Sequence, residues 1–318
     1  MALPLNRRIA RIPHFKSFVA DYPYAVAGWG RKASGRRARW LGQWLGLRHV
    51  LLEDGFLRSV GDGPLLSMLI DDLGAYYDAA APSRMEAVIA AGVDDAQATR
   101  AEALRAQWVA AGLSKYNAAG EYAGDLPADY VLVADQCAGD LAIAGGLAGP
   151  ADFAAMVEAA LAAHPDGAVV VKVHPEVLAG RRAGAIPARV LYHPRIRVIG
   201  DPCHPIRLIE DARAVYAVTS AVGFEALLRG KPVHCFGMPF YAGWGLTVDA
   251  LPAPERRRGG ASLAAVVHAA FIALPRYVDP ANGAVIAPEA AIAAAGAAFA
   301  ALRERAAFAA LRDGAPAG

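Results

Sequence analysis

The chain has 318 residues, 56% of them hydrophobic and 19% charged, which suits two packed domains and excludes a largely disordered chain. A net charge of +2 gives no overall pull toward nucleic acid. Three cysteines, Cys137, Cys203 and Cys235, lack metal-ligand spacing, so they argue against a disulfide scaffold and fit a reducing, cytoplasmic setting. The basic residues are uneven, with clusters at Arg7, Arg8 and Arg11, at Arg31, Lys32, Arg36, Arg37 and Arg39, and at Arg256, Arg257 and Arg258. Such clusters are commonly solvated faces, and they also suit anionic sugars or an anionic membrane surface. The amino-terminal MALPLNRRIARIPHF lacks the continuous apolar segment of a signal peptide, and no run approaches the roughly 20 apolar residues of a membrane span.

In chain order, residues 24–26 form a short strand leading into the glycine turn Gly28-Trp29-Gly30. Residues 36–45 have helical spacing with Trp40, Leu41 and Trp44 on one side. Residues 48–52 form a strand that ends at Glu53-Asp54-Gly55. Residues 65–70, then Tyr76 and Tyr77, read as a further strand pair or a loop region, and residues 83–112 are mostly helical, with Ser83 and Glu86 as a capping box. The apolar run 129–134 is a buried strand ending at Asp135-Gln136. The helix 150–164 and the strand 168–173 follow, and His174-Pro175 comes directly after that strand. One or two short strands lie in 190–199, with a two-turn helix at 205–212.

Residues 214–247 carry the densest pattern. Ala214 to Val218 is strand-like, and Thr219 and Ser220 are good caps for a helix over 223–229. Gly230 and Pro232 stop that helix, and 232–236 is the next strand. A helix opening after a parallel strand offers free N–H groups to a phosphate, and Glu225 can accept from a ribose hydroxyl. An ordinary strand–helix unit is the plain alternative. The alanine-rich 284–311 reads as a helix or helix pair packed on the body.

Strands alternating with helices predict an α/β protein with mainly parallel sheets. The Ala- and Gly-rich stretch 140–150 divides it. The expected domains are 1–145, bearing the catalytic carboxylates, then 146–280, binding nucleotide, with helices in 281–318 packed on the body. Glu53-Asp54, Asp135 to Asp140, His174 and Thr219-Ser220 all follow strands, where sites in such folds gather. Two carboxylates from different strands suit glycosyl chemistry, one as nucleophile and one as acid/base. Helix capping, or pairing with Arg58, is the structural alternative for these acids. A histidine at a strand end can steady a departing phosphate, and Lys172 and Arg58 are candidates for a sugar carboxylate.

The stretches EDGFLRSVG (53–61), VLVADQCAGD (131–140), KVHPE (172–176) and TSAVGFEALLRGKPVHCFGMPFYAGWGLT (219–247) resemble the capsule polysaccharide synthesis family, which contains retaining β-Kdo transferases. GWGRK at 28–32 resembles its amino-terminal glycine loop. EDG and HP also resemble motifs of sialyltransferases that use a CMP donor. The resemblance implies a GT-B-like α/β fold, two Rossmann-like domains facing across a cleft. It implies a retaining transferase that takes Kdo from CMP-Kdo without a metal or other cofactor. The implied acceptor is an anionic capsule or lipopolysaccharide glycan or glycolipid, with contact to the inner face of the cytoplasmic membrane or to capsule assembly proteins. It implies Asp140 as nucleophile, Glu53 as acid/base with Asp54 as the close alternative, and His174 at the phosphate. The donor-binding set that goes with these motifs is Lys172, His174, Pro175, Thr219, Ser220, Gly223, Glu225, Arg58 and Gln136. Ala142 stands where family members often carry serine, and the length accommodates one module where some members hold two. A sialyltransferase and a non-catalytic polysaccharide-binding module are the alternatives. A nucleotide-dependent oxidoreductase is disfavoured because no GxGxxG follows the first strand.

Overall fold

The structure, a computed structural model, describes residues 2–173 and 175–312, with the side chains of Pro175, Leu178 and residues 307–312 left aside. The first segment runs β1 (Leu3–Pro4), α1 (Arg7–Ala10), α2 (Phe15–Phe18), β2 (Val26–Trp29), α3 (Ala33–Leu45), β3 (His49–Asp54), β4 (Ser59–Val60), β5 (Ser67–Asp71), α4 (Arg84–Ala91), α5 (Asp95–Ala110) and β6 (Tyr116–Asn117). The second runs β7 (Tyr130–Ala134), α6 (Leu141–Gly145), α7 (Pro150–Ala163), β8 (Ala168–Lys172), α8 (Pro175–Leu178), β9 (Ile196–Ile199), α9 (Ile206–Glu210), β10 (Val215–Ala217), α10 (Ala221–Leu228), β11 (Val233–Cys235) and β12 (Val248–Asp249). The chain ends its described course with α11 (Leu263–Val267), β13 (Pro275–Val278), β14 (Val285–Ile286) and α12 (Pro288–Arg312).

These elements form two compact units. One comprises residues 2–76, 81–118 and 264–312, the other 77–80 and 119–263. The division expected near residue 145 therefore falls earlier, and the chain returns to the first unit at its end. Strand pairing is the reason. The strand β7, expected in the first domain, hydrogen-bonds to β8 and β10. The strand β13, expected in the second, pairs antiparallel with β5.

The first unit's sheet has the order β1-β2-β3-β5-β13-β14. Its first three strands are parallel, but β5, β13 and β14 each run antiparallel to their neighbours. This sheet is mixed, where a parallel one was expected. Val50, Leu52, Met68 and Ile70 pack on Phe15 and Phe18 as its core. The second sheet, β12-β11-β10-β7-β8-β9, is parallel throughout. Val131, Val133, Val169 and Val171 meet Phe153, Met156 and Val157 of α7. Each such buried side chain contributes about 1.5–3 kcal/mol relative to an exposed one.

Local signals explain most helix ends. Ser83 accepts from the Glu86 N–H at 3.1 Å, and Asp94 and Gln97 form a reciprocal capping box for α5. The single helix expected over 83–112 is broken between α4 and α5, where Gly92 takes φ 74°. The packing of α3 departs further from expectation. Its buried positions are Ser34, Gly35, Ala38 and Gly42, while Trp40 and Trp44 are 60% and 70% exposed. Tight docking on β2 is the cause: a Cβ on Gly35 would collide with the Gly30 carbonyl, and one on Gly28 with the backbone of Ser34.

Candidate functional site

In the second unit the strand order reverses between β7 and β10. The chain steps β7, β8, β9 to one side, then β10, β11, β12 to the other. Loops leaving the carboxyl ends of strands on either side of such a reversal part and leave a crevice, the usual ligand site of an open parallel sheet. Gln136 follows β7 and Thr219 follows β10. The Gln136 side-chain amide grips Thr219 twice: its Oε1 accepts from the Thr219 N–H at 2.9 Å, and its Nε2 donates to the Thr219 hydroxyl at 2.9 Å.

Asp140 lies at the end of the turn that starts at Gln136. It is exposed and caps α6, its Oδ1 accepting from the Ala142 N–H at 3.0 Å. The turn is held rigid from below. Asp135 is buried and accepts from the N–H groups of Ala185 and Ile186 at 3.1 and 2.9 Å. Asp135, one of the strand-end acids, thus has a structural task. Across the reversal, Ser220 caps α10 and accepts from the Val222 N–H at 3.3 Å. The N-terminus of this eight-residue helix follows Thr219 directly. Gln136 and Thr219 are therefore bonded to each other just beyond the ends of the adjacent strands β7 and β10, and Asp140 and Ser220 cap the helices that open next, α6 and α10.

The tail 240–247 has a definite structural role. Tyr241 is fully buried, and its hydroxyl donates to the Ser220 carbonyl at 2.6 Å. Gly223 lies directly beneath it, because a Cβ there would strike the Tyr241 hydroxyl. Trp244 donates to the Phe240 carbonyl at 2.8 Å. Arg257 lies over the Trp244 ring and donates to the Pro239 and Ala242 carbonyls at 2.7 and 2.9 Å. Arg257 is 2% exposed, so the third basic cluster is not simply a solvated face. Glu225 lies inside α10, 5% exposed, and its charge reaches the neighbouring Arg229.

Lys172 ends β8, beside β7. Its ammonium donates to the carbonyls of Val173 and Asp201 at 3.0 Å each. Burial holds it below the usual lysine range, with Cys203 and Asp201 pulling the other way. This lysine ties down the loop after β9. His174 lies outside the described residues. Pro175 begins α8, and its side chain is likewise outside.

The first unit has its own pocket, about 640 Å³, at the carboxyl ends of β2 and β3. Asp54 lines it, together with Arg8, Arg11, Lys32, Arg58 and Trp29. Four cations and one carboxylate make a cavity suited to an anionic ligand. Arg58 Nε lies 3.6 Å from Asp54 Oδ2, and Lys32 lies over the Trp29 ring. The EDG turn is pinned onto β5. The Gly55 N–H donates to the Ser67 carbonyl at 2.9 Å, a Cβ on Gly55 would overlap the Ser67 hydroxyl, and that hydroxyl donates to the Leu57 carbonyl at 2.6 Å. Successive side chains of a strand point to opposite faces. Glu53 therefore faces away from Asp54 and is absent from the pocket's lining. Ser67 escapes sequence reasoning, since its only signal is the need of Gly55 for a close neighbour. Among the described residues, no group of three or more His, Cys, Asp or Glu side chains is arranged to hold a metal ion, and no helix is long and apolar enough to cross a membrane.

A profile of the family described as capsule polysaccharide biosynthesis protein matches residues 24–120 and 121–277. The capsule polysaccharide modification protein LipA of Neisseria meningitidis is 37% identical over 303 residues, covering 87% of this chain and 43% of LipA. The lipopolysaccharide-processing protein LpsZ of Rhizobium meliloti is 38% identical over 239 residues, covering 71% of this chain and 53% of LpsZ. The chain thus spans about half the length of the curated relatives it matches. Among solved structures, the KpsC beta Kdo 2,4 transferase of Thermosulfurimonas dismutans shares the fold with a TM-score of 0.84 and 36% identity, covering 93% of this chain and 98% of that one. The KpsC beta Kdo 2,7 transferase of the same organism gives 0.66 and 28%, covering 86% and 84%. The fold is α/β and GT-B-like, with two Rossmann-like units, and the chain belongs to the capsule polysaccharide biosynthesis protein family.

Proposed function

We propose that this chain is a retaining glycosyltransferase that moves β-Kdo from CMP-Kdo to a capsule or lipopolysaccharide glycan or glycolipid. The observation that carries the proposal is the Gln136–Thr219 bonding at the strand reversal of the parallel sheet, with Asp140 and Ser220 capping the two helices that open there. The two KpsC transferases of like fold supply the sugar. In this reading the α10 N-terminus and the Thr219 and Ser220 hydroxyls meet the donor phosphate, with His174 two residues beyond Lys172 as its proton or hydrogen-bond donor. Asp140 attacks the anomeric carbon as the bond to CMP breaks, giving a glycosyl ester with inverted configuration. The acceptor hydroxyl then displaces Asp140, restoring the configuration, and gives its proton to a carboxylate. Of the two acids of the EDG turn we assign that last task to Asp54, because it lines its unit's cationic pocket and Glu53 does not.

The test is transfer from CMP-Kdo by purified variants. Asp140→Asn and Asp140→Ala should lose at least about 10³-fold in rate, the scale of removing a nucleophile, while still binding CMP. Asp54→Asn should lose more activity than Glu53→Gln. Activity should persist in chelator. An Asp140→Ala protein that transfers at the native rate overturns the proposal. A donor preference for CMP-sialic acid over CMP-Kdo would instead favour a sialyltransferase.

A further inference from the structure

The helix α3 is inverted relative to an ordinary amphipathic helix. It buries a stripe of small residues, Gly35, Ala38 and Gly42, and displays its two tryptophans. Trp40 and Trp44 lie one turn apart and stack, with ring centroids 5.7 Å apart and planes within 5°. At 100° per residue they point directly away from the buried stripe. Arg36 and Arg37 flank them on either side, with Arg39 beyond Arg36, and all three are exposed. Leu45 and Leu47 at the carboxyl end of the helix are exposed as well, 51% and 40%. A tryptophan pair is costly to leave in water, and a contiguous exposed apolar patch marks an interaction surface.

The charge around the patch indicates what covers it. No aspartate or glutamate occurs between Tyr22 and Leu52. Residues 1–52 hold ten lysines and arginines against the single Asp21, in a chain whose net charge is only +2. The rest of the chain is therefore net acidic. Interfacial tryptophans set in arginines match the boundary of an anionic bilayer, where the rings sit at headgroup level and the guanidiniums meet lipid phosphates. A protein partner would need a matching acidic, concave face, and nothing in the arrangement selects one.

We propose that the exposed face of α3, centred on Trp40 and Trp44, is a peripheral docking surface for an anionic lipid bilayer. The inference is independent of the transfer chemistry. It would bring the surface beside the cationic pocket to the membrane, because Lys32, Ala33 and Ser34 at the start of α3 line that pocket.

Flotation of the purified full chain with vesicles tests this. The chain should float with vesicles of phosphatidylcholine and phosphatidylglycerol, stay behind with phosphatidylcholine alone, and be released by high salt. Tryptophan emission should shift to the blue and be quenched by brominated lipid. Trp108 and Trp244 are already buried, so they contribute little to the change. The triple change Arg36→Gln, Arg37→Gln, Arg39→Gln should lower partitioning on the order of a hundredfold. Trp40→Ala with Trp44→Ala should abolish quenching without altering the thermal midpoint. Three results would overturn the proposal. The chain could ignore phosphatidylglycerol vesicles. The double tryptophan variant could bind as well as the native chain. A concentration-dependent dimer could be lost in that variant while neither form binds lipid.

Discussion

Gly223 shows how narrowly single residues fix the start of α10, the donor side of the proposed site. It lies in α10 under the Tyr241 hydroxyl, which in turn holds the Ser220 carbonyl. Gly223→Ala should cost about 1–3 kcal/mol, the usual penalty for overpacking, and weaken CMP binding by displacing the helix end. Thermal unfolding and CMP titration would check both, and an unchanged midpoint would mean that Tyr241 yields without strain. Gly223 was legible in sequence only as part of a motif, since the side chain that demands it lies eighteen residues away. The cap at Ser220 was legible because helix caps have a local signature, whereas Asp140 stood out only through the motif it belongs to. The roles of Lys172 and Asp135 were not, because their partners are backbone groups of distant loops, at Asp201 and at Ala185 and Ile186. Ionisable residues at strand ends look alike in sequence whether they face a ligand or a loop.

The same contrast appears in whole elements. Sequence pattern located the longer helices and all strands but β12 in the second unit, since apolar runs such as 129–134 admit little else, and missed the short α6 and α8. It misjudged α3, because periodicity marks the apolar side of a helix as the buried one. Here backbone proximity decided instead, and only small residues fit against β2. If Trp40 filled a core, Trp40→Ala would cost about 3–5 kcal/mol. At its exposed position the change should stay within about 0.5 kcal/mol. Gly35→Ala, a far milder change in composition, should destabilise more, since its Cβ has the Gly30 carbonyl in its way. Denaturant unfolding of the two variants ranks them directly, and the reverse order would sink this account of α3.

Across the whole molecule, three half-buried histidines set an acid limit. Burial lowers the pKa of His49, His234 and His268, reinforced by Arg39, His164 and Arg100 respectively. Each folded-state value lies below the unfolded value of about 6.5, so the unfolded chain binds more protons between the two. Their stabilising effect is fully present above about pH 6.5 and is lost as pH falls toward the folded-state values. The unfolding midpoint should therefore drop between about pH 7.5 and about pH 5.5. His234→Phe, which keeps the stack on Tyr216, should reduce that drop. An identical drop in the variant would assign the acid limit elsewhere. The chain's return to its first unit bears on how the protein is made. At about 5–20 residues per second, synthesis of residues 119–263 takes about 7–30 s. Throughout that interval β5 has no β13 beside it, and its outer row of N–H and C=O groups is open to any passing strand. The ribosome therefore finishes the later unit before the earlier one, and a nascent chain stalled before residue 264 would carry a ready template for aggregation.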